Sequence, residues 1–446
     1  MKKIFGILLL TTVWLMTGCT KSDDVAELTV GCETFTWSSD VVLQKVQVTA
    51  SGSWRAESDV YWCAPIKKKG EGNMELPIWV SPNLTGQARQ GKITITQGSQ
   101  TRTINVSQPA FGGSLDDYVY RLPVVFHILY KDKNDENQYV KKGHIAKVLT
   151  EVNKLYENNH MNIVFEPAKY NDDGEELEEP GVVRHEVTFD EYSPNEFLEA
   201  GNEDNGQYAK FAQNLKKYIN VYVFRFSEQE GNENNDALGI SNLAIVPKDH
   251  PLDSLYATDV ANDYAYVASP WGCCINSDYI YEWQEEGQFN PLFIGTTLAH
   301  ELGHYLGLLH TFSEQDCDMD DACDDTHISD YENYTDYISD YVNKQIAAGV
   351  RTFSINDLAR RKDCKTQEDF VARNVMDYAY CYSDEFSQQQ HQRTRHVLWY
   401  GPLTPGPKLK LYNTTGYTTR GNGKLPLIEG RVQPCPSTRQ LVISNE

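Results

Sequence analysis

His300-Glu301-Leu302-Gly303-His304-Tyr305-Leu306-Gly307-Leu308-Leu309-His310 places three imidazoles and one carboxylate within eleven residues. Histidines four apart on a helix project from one face, so His300 and His304 present their rings together. A catalytic zinc accepts imidazole nitrogen and takes three protein ligands plus a water. Glu301 sits one residue off that face, within reach of a metal-held water as general base. His310 follows His304 by six residues. On a straight helix that is about 9 Å further along, too far for an ion about 2.1 Å from each ligand. The chain is therefore expected to turn after His304, and Gly307 tolerates positive φ there. The bland reading of two helical histidines is half-buried packing. A glutamate and a third histidine at these spacings argue for a metal instead.

Outward from this run, the start of the chain reads as a processing segment. Lys2 and Lys3 precede an apolar stretch, residues 4–16, that is too short and wrongly flanked for a membrane span. Leu15-Met16-Thr17-Gly18-Cys19 has the form of a lipobox. It predicts a signal peptide over residues 1–18, lipid on Cys19 and a tether over residues 19–25. Lys21-Ser22-Asp23-Asp24 resembles the acidic signal that sends lipoproteins of Bacteroides-type bacteria to the outer face of the outer membrane. The expectation is an outer-membrane lipoprotein, exposed at the cell surface or facing the periplasm, with membrane contact through the lipid alone.

A net charge of −23 and a pI near 4.9 exclude a nucleic-acid binder, which needs a basic surface. Ten cysteines in an exported chain predict disulfides. With Cys19 lipidated, nine remain, so at least one lacks an intrachain partner.

Residues 26–108 read as an all-β module. Val46, Val48 and Ala50 alternate with Lys45, Gln47 and Thr49, and residues 74–80, 92–96 and 102–106 are strand-like. The module resembles the BACON domain, an immunoglobulin-like β-sandwich. The resemblance is carried by Ser53-Trp54, Tyr61-Trp62, Asn83, Arg89-Gln90-Gly91 before Ile93-Thr94-Ile95, and Val106-Ser107-Gln108. It implies a spacer or a unit that binds glycans or mucin, with host glycoproteins or glycans as partners. Trp54, Trp62 and Trp79 read as core residues of a small sandwich, with sugar stacking as the alternative. Cys32 and Cys63 are a candidate disulfide.

Residues 109–117 form a linker, and residues 118–400 a second domain. Strands are expected over 118–130, 163–165 and 219–224, and helices over 142–158 and 209–217. A β-α-β-α-β order ahead of the histidine run predicts an α+β domain whose twisted sheet backs the active-site helix. Residues 238–247 lie where zinc endopeptidases commonly offer an edge strand to an extended substrate. His127 reads as a satisfied core or surface histidine rather than a ligand.

Over about residues 122–399 the chain resembles the pappalysin family, peptidase family M43 of the metzincin clan, in its cytophagalysin/ulilysin branch. The resemblance rests on HExxHxxGxxH, on His310-Thr311-Phe312 followed by Cys317, on Asp324-Asp325-Thr326, and on Asn374-Val375-Met376-Asp377-Tyr378. It implies a zinc endopeptidase acting on proteins or peptides. His300, His304 and His310 would be the zinc ligands and Glu301 the general base and acid. Met376 would be the methionine of the Met-turn, and Tyr378 a tyrosine that steadies the oxyanion. It also implies two disulfides, Cys317 with Cys364 and Cys323 with Cys381, although the four cysteines by themselves allow three pairings. The family binds calcium nearby, which makes Asp316, Asp318, Asp320, Asp321, Asp324 and Asp325 candidate ligands; a solvated acidic loop is the alternative. Where the family often has Asp-Thr-Pro, this chain has Asp325-Thr326-His327. An insert over 328–363 carries Tyr331, Tyr334, Tyr337 and Tyr341 and is expected to add helix. Residues 401–446 read as a tail or small cap. The competing reading of the whole is a glycan- or mucin-binding surface lipoprotein whose protease domain is ancillary or inactive.

Overall fold

The computed structural model describes residues 27–38, 43–60, 62–199, 208–227, 237–258, 270–285, 288–378, 380–410, 427–429 and 442–444. Cys19 with its signal peptide, Tyr61 and Cys435 lie outside them. No helix among the described residues is long and apolar enough to cross a membrane.

The N-terminal region is all-β. One sheet orders Thr29–Val30, Leu43–Thr49, Met74–Val80 and Cys63–Pro65, and the other Thr34–Thr36, Gln100–Gln108, Arg89–Gln97, Ser53–Ser58 and Lys69–Glu71. Val46, Val48, Leu76 and Ile78 of the first sheet share one core with Trp54, Ala56, Ile93, Ile95, Ile104 and Val106 of the second. Trp54 and Trp62 are 2% and 4% exposed, so neither offers a ring face to a sugar. Arg89 instead stacks its guanidinium 4.3 Å from the Trp62 ring. Cys32 and Cys63 are free thiols, in contrast to the expected pair. Cys63 is buried in the core, whereas the Cys32 thiol lies outside that core and donates to the Thr34 carbonyl.

The C-terminal region is mixed α+β; its elements are numbered from its first strand. The main sheet comprises β1 (Tyr120–Tyr130), β2 (Ile163–Pro167), β3 (Val182–Glu186), β4 (Ile219–Phe224), β5 (Gly239–Asn242) and β6 (Cys273–Asn276). Its order is β2-β1-β4-β6-β5, with β3 pairing the second half of β1. Among these six strands the pairings are parallel except β5 against β6. Side chains alternate across a strand. Accordingly Leu122, Val124, Phe126 and Ile128 of β1 and Ile219, Val221 and Val223 of β4 enter the core that contains the helices. Tyr222, Phe224, Ile240 and Cys274 face a separate aromatic layer. The same alternation explains the vicinal cysteines: Cys273 joins the helix-side core and Cys274 the opposite one, and both are free thiols.

Two helices cover that face. In α1 (His144–Asn158), Ile145, Val148, Leu149, Val152 and Tyr156 form the buried stripe. In α2 (Ile294–Tyr305), Leu298, Ala299, Leu302 and Tyr305 meet it, and the Tyr156 hydroxyl donates to the Ala299 carbonyl at 3.2 Å. Beyond α2, the insert folds as expected into α3 (Tyr331–Ala347). Tyr334, Ile338 and Val342 pack with Phe312, Phe353, Ile355, Leu358 and Tyr378 in a second core. After β7 (Thr352–Ser354) comes α4 (Gln388–Tyr400), and two tail strands follow, β8 (Leu427–Glu429) and β9 (Val442–Ser444).

Two expectations fail. Residues 209–217 make only a 3₁₀ turn, Ala209–Phe211. The Asn220 side chain bonds both the N–H and the carbonyl of Gln213, and the Asn214 side chain takes the Lys216 N–H, so backbone groups a helix would use are spent locally. Residues 238–247 split into β5 and a separate strand, Ile245–Pro247, and β5 is not an open edge because β8 pairs with it.

Of the two states expected for it, core or surface, His127 takes the first. Nδ1 lies 3.0 Å from His185 Nε2, and Nε2 lies 2.9 Å from Asn220 Oδ1. Burial pushes the His127 ring down to about 3 and His185 to about 4. Both rings fold neutral. Their contribution is therefore complete above the unfolded value of about 6.5 and falls away as pH drops from there toward the folded values. The midpoint of urea unfolding should fall between about pH 7 and pH 5, before most carboxylates titrate. In His127→Gln/His185→Phe the slope should flatten; an equal slope in both proteins contradicts the assignment.

Candidate metal centre

Helix α2 ends at Tyr305, and Gly307 then adopts φ +91°. A Cβ at Gly307 would stand 2.6 Å from a Val397 methyl, so both the turn and the packing demand glycine. The turn brings His310 back beside the helix. His304 Nε2 lies 3.0 Å from His300 Nε2 and 2.9 Å from His310 Nε2. The donor atoms of the three rings all fall within 4.8 Å of one another.

These short distances are not hydrogen bonds. His300 Nδ1 lies 2.7 Å from the Val375 carbonyl, and His304 Nδ1 2.8 Å from the Leu308 carbonyl. A carbonyl only accepts, so each Nδ1 carries the proton and each Nε2 presents a lone pair. Burial pushes the His304 ring down to about 4, which keeps it neutral. Lone pairs facing each other at 3.0 Å repel unless a cation lies between them. An all-imidazole donor set suits a borderline transition-series ion rather than a hard one such as calcium. The three histidines therefore could hold a metal ion.

Glu301 is buried on the neighbouring face of α2. A Cβ at Gly239 would stand 2.7 Å from Glu301 Oε1, so β5 runs directly against that carboxylate. Below the helix, a Cβ at Gly303 would stand 2.5 Å from Met376 Sδ, and the glycine between the two helical histidines is what lets Met376 lie there. The Tyr378 ring is 4.5 Å from His310 and 5.7 Å from His300 by centroid.

Three supporting roles escaped the sequence reading, one of them at Asn374, a residue of the quoted motif. Gly239 had no motif around it. Asn374 accepts from the Met376 N–H at 2.9 Å and exchanges hydrogen bonds with Gln390, which also completes the capping box of α4. The Ser-x-x-Gln spacing could have announced the cap but not its second partner. Arg361 is buried and donates to the carbonyls of Tyr378 at 3.2 Å and Tyr380 at 3.0 Å.

Cys317 and Cys364 form a disulfide. Cys323 and Cys381 do not; both are buried thiols. Cys381 donates to the Asn374 carbonyl, while Cys323 lies beside Asp321, so they serve different neighbourhoods. The aspartates are also dispersed. Asp320 pairs with Lys365, Asp318 accepts from Ser313, and Asp325 accepts from the Gln389 N–H. Asp321 is buried and accepts from Thr326 and the Cys323 N–H, while Asp316 and Asp324 are exposed. Among the described residues only the histidine triad gathers three such ligand groups.

Residues 273–399, which contain this constellation, match the family model Peptidase_M43, described as pregnancy-associated plasma protein-A. The centre lies within the segment that matches this model. Residues 52–109 match the model for BACON, an N-terminal binding domain. No curated protein matches the chain. Among solved structures, a Bacteroides ovatus GH5 xyloglucanase in complex with a XXXG heptasaccharide is 15% identical, over 46% of this chain and 38% of that one, with a TM-score of 0.19. The periplasmic chaperone SfaE is 8% identical over 19% and 58%, with a TM-score of 0.17. A Bacteroides thetaiotaomicron protein solved by NMR is 12% identical over 21% and 97%, with a TM-score of 0.16. At these scores the likenesses carry no argument. The M43 segment and its histidines support a metal-dependent enzymatic domain.

Proposed function

We propose that this chain is a zinc-dependent endopeptidase of the metzincin type, exported and held at the outer membrane by lipid on Cys19. The observation that carries the reading is the convergence of the His300, His304 and His310 ring nitrogens beside a buried glutamate. Zinc fits because three neutral imidazoles and an open fourth position are its usual catalytic set. When bound, it supplies a Lewis acid that acidifies water and polarises the scissile carbonyl.

The chain's own residues do the rest. The Val375 and Leu308 carbonyls fix the ligand tautomers. Glu301 takes a proton from the attacking water on its carboxylate and passes it to the departing amine nitrogen. The Tyr378 hydroxyl donates to the oxygen that gains charge at the carbonyl carbon. Met376 floors the site and keeps water from beneath the rings. No acyl-enzyme is needed, so no serine or cysteine nucleophile is required.

The N-terminal region serves as a stalk with a general ligand-binding role. The BACON match supports the latter, but the buried Trp54 and Trp62 do not supply a sugar platform. Calcium in the acidic loop would have to draw on backbone oxygens as well as aspartates.

Metal analysis of the purified chain should find zinc at about one ion per chain, in keeping with one closed triad. Chelation should stop cleavage of a diverse peptide library, and zinc should restore it. A fully metal-loaded chain that cuts no peptide, while residues 26–108 retain glycans, would establish the binding-lipoprotein reading instead.

A further inference from the structure

One face of α4 grips the metal-binding segment. Gln390, Arg393 and Val397 are spaced three and four apart, the spacing of a single helical stripe. Gln390 is bonded to Asn374, which in turn holds the Met376 N–H. A Val397 methyl closes on Gly307, as the 2.6 Å approach to a Cβ there shows. Between them, the buried Arg393 donates from Nε to the Gly307 carbonyl at 2.9 Å and from Nη2 to the Asp253 carbonyl at 2.6 Å. That carbonyl lies past the end of α2, where helical partners run out. The N–H four residues on, of Thr311, is spent on the Met376 carbonyl at 3.2 Å. Among the described residues Arg393 is the only donor to Gly307.

The turn so held carries two duties. The next carbonyl, of Leu308, fixes the His304 ring, and His310 follows two residues later. The N–H groups of Gly307 and Leu308 bond back to the His304 and Gly303 carbonyls of α2. Those ties fix where the turn begins, not where it leads. We propose that Arg393 is a positioning residue for the metal centre: from α4 it holds residues 307–310 in the shape that brings His310 to His300 and His304. A guanidinium suits the task, because its planar fork meets two carbonyls at once and its charge is permanent. The effect on metal retention rests on the metal-dependent reading above; the effect on the turn does not. Arg395 supplies the control. It lies two positions on, is equally buried, and also spends its guanidinium on carbonyls, those of Leu115, Asp116 and Tyr118. None of these belongs to the metal-binding segment.

The test compares the full chain with Arg393→Lys and Arg395→Lys. Both variants keep the charge and lose the fork, so both should fold with a lowered urea midpoint. Only Arg393→Lys should speed the transfer of zinc to an excess of a chromogenic chelator, by about tenfold, the low end for loosening a partner behind a metal ligand. Only Arg393→Lys should alter the visible absorption of the cobalt-loaded protein, which reports ligand geometry. Release rates and cobalt spectra that change alike in both variants make Arg393 merely structural and overturn the proposal, as do rates and spectra that change in neither. If the wild type takes up neither metal, the metal-dependent reading itself fails. The amides of Leu308 and Thr311 then decide. Faster exchange in Arg393→Lys alone supports the positioning role, and equal exchange in the two variants overturns it.

Discussion

Glu301→Gln is expected to lower peptide hydrolysis by about 10²–10⁴-fold, the usual worth of a positioned acid–base group, while bound metal stays unchanged. Glutamine keeps the volume, so the wall formed by Gly239 is undisturbed. It cannot take a proton from water or return one to the amine. The metal should remain because Glu301 is not among the three converging ligands. The loss should appear in kcat rather than KM, since the group acts on the reacting atoms and not on the peptide's ends. A variant that keeps a tenth or more of the activity, an order-of-magnitude line set by that expected range, assigns the proton to another group.

Arg361→Ala should cost about 3–5 kcal/mol of stability, the range for breaking a buried, hydrogen-bonded charge. The Arg361 side chain is 0% exposed, and its guanidinium carbon lies 3.3 Å from the centre of the Tyr334 ring. Removing it takes a donor from the carbonyls of Tyr378 and Tyr380 and takes away the guanidinium that lies 3.9 Å from the buried Asp377 carboxylate. Arg373 is the control. It pairs with Asp384 and Glu385 but is 41% exposed, and Arg373→Ala should cost under about 1 kcal/mol. Urea unfolding of the two variants decides the matter, and equal midpoints contradict the assignment. Because Arg361 grips the backbone of Tyr378, the surviving folded Arg361→Ala protein should also show a lowered kcat.

Whatever repeats at short range was legible in the sequence. The i,i+4 histidines, the glycine turn, the stripe of α1 and the alternation in β1 each follow from periods of 3.6 or 2. Tyr156 closes the α1 stripe, with Leu155 partly buried beside it. What escaped reading depends on distant partners. The pairing of β8 with β5 joins segments nearly two hundred residues apart through three residues, too few to show a period. Arg361 looks like any member of the run Arg360-Arg361-Lys362 until α3 and the Met376 turn enclose it. The four site cysteines could not declare their pairing, because that depends on where α3 carries the loop; one bridge forms and two thiols remain apart.

His300 and His304 belong to a helix rooted in the sheet-side core, whereas His310 stacks on Phe312 and meets Tyr378 edge-on in the other core. The triad therefore bridges the two cores, and a cation shared by its three ring nitrogens would tie one core to the other, so that metal affinity and folding stability become one quantity.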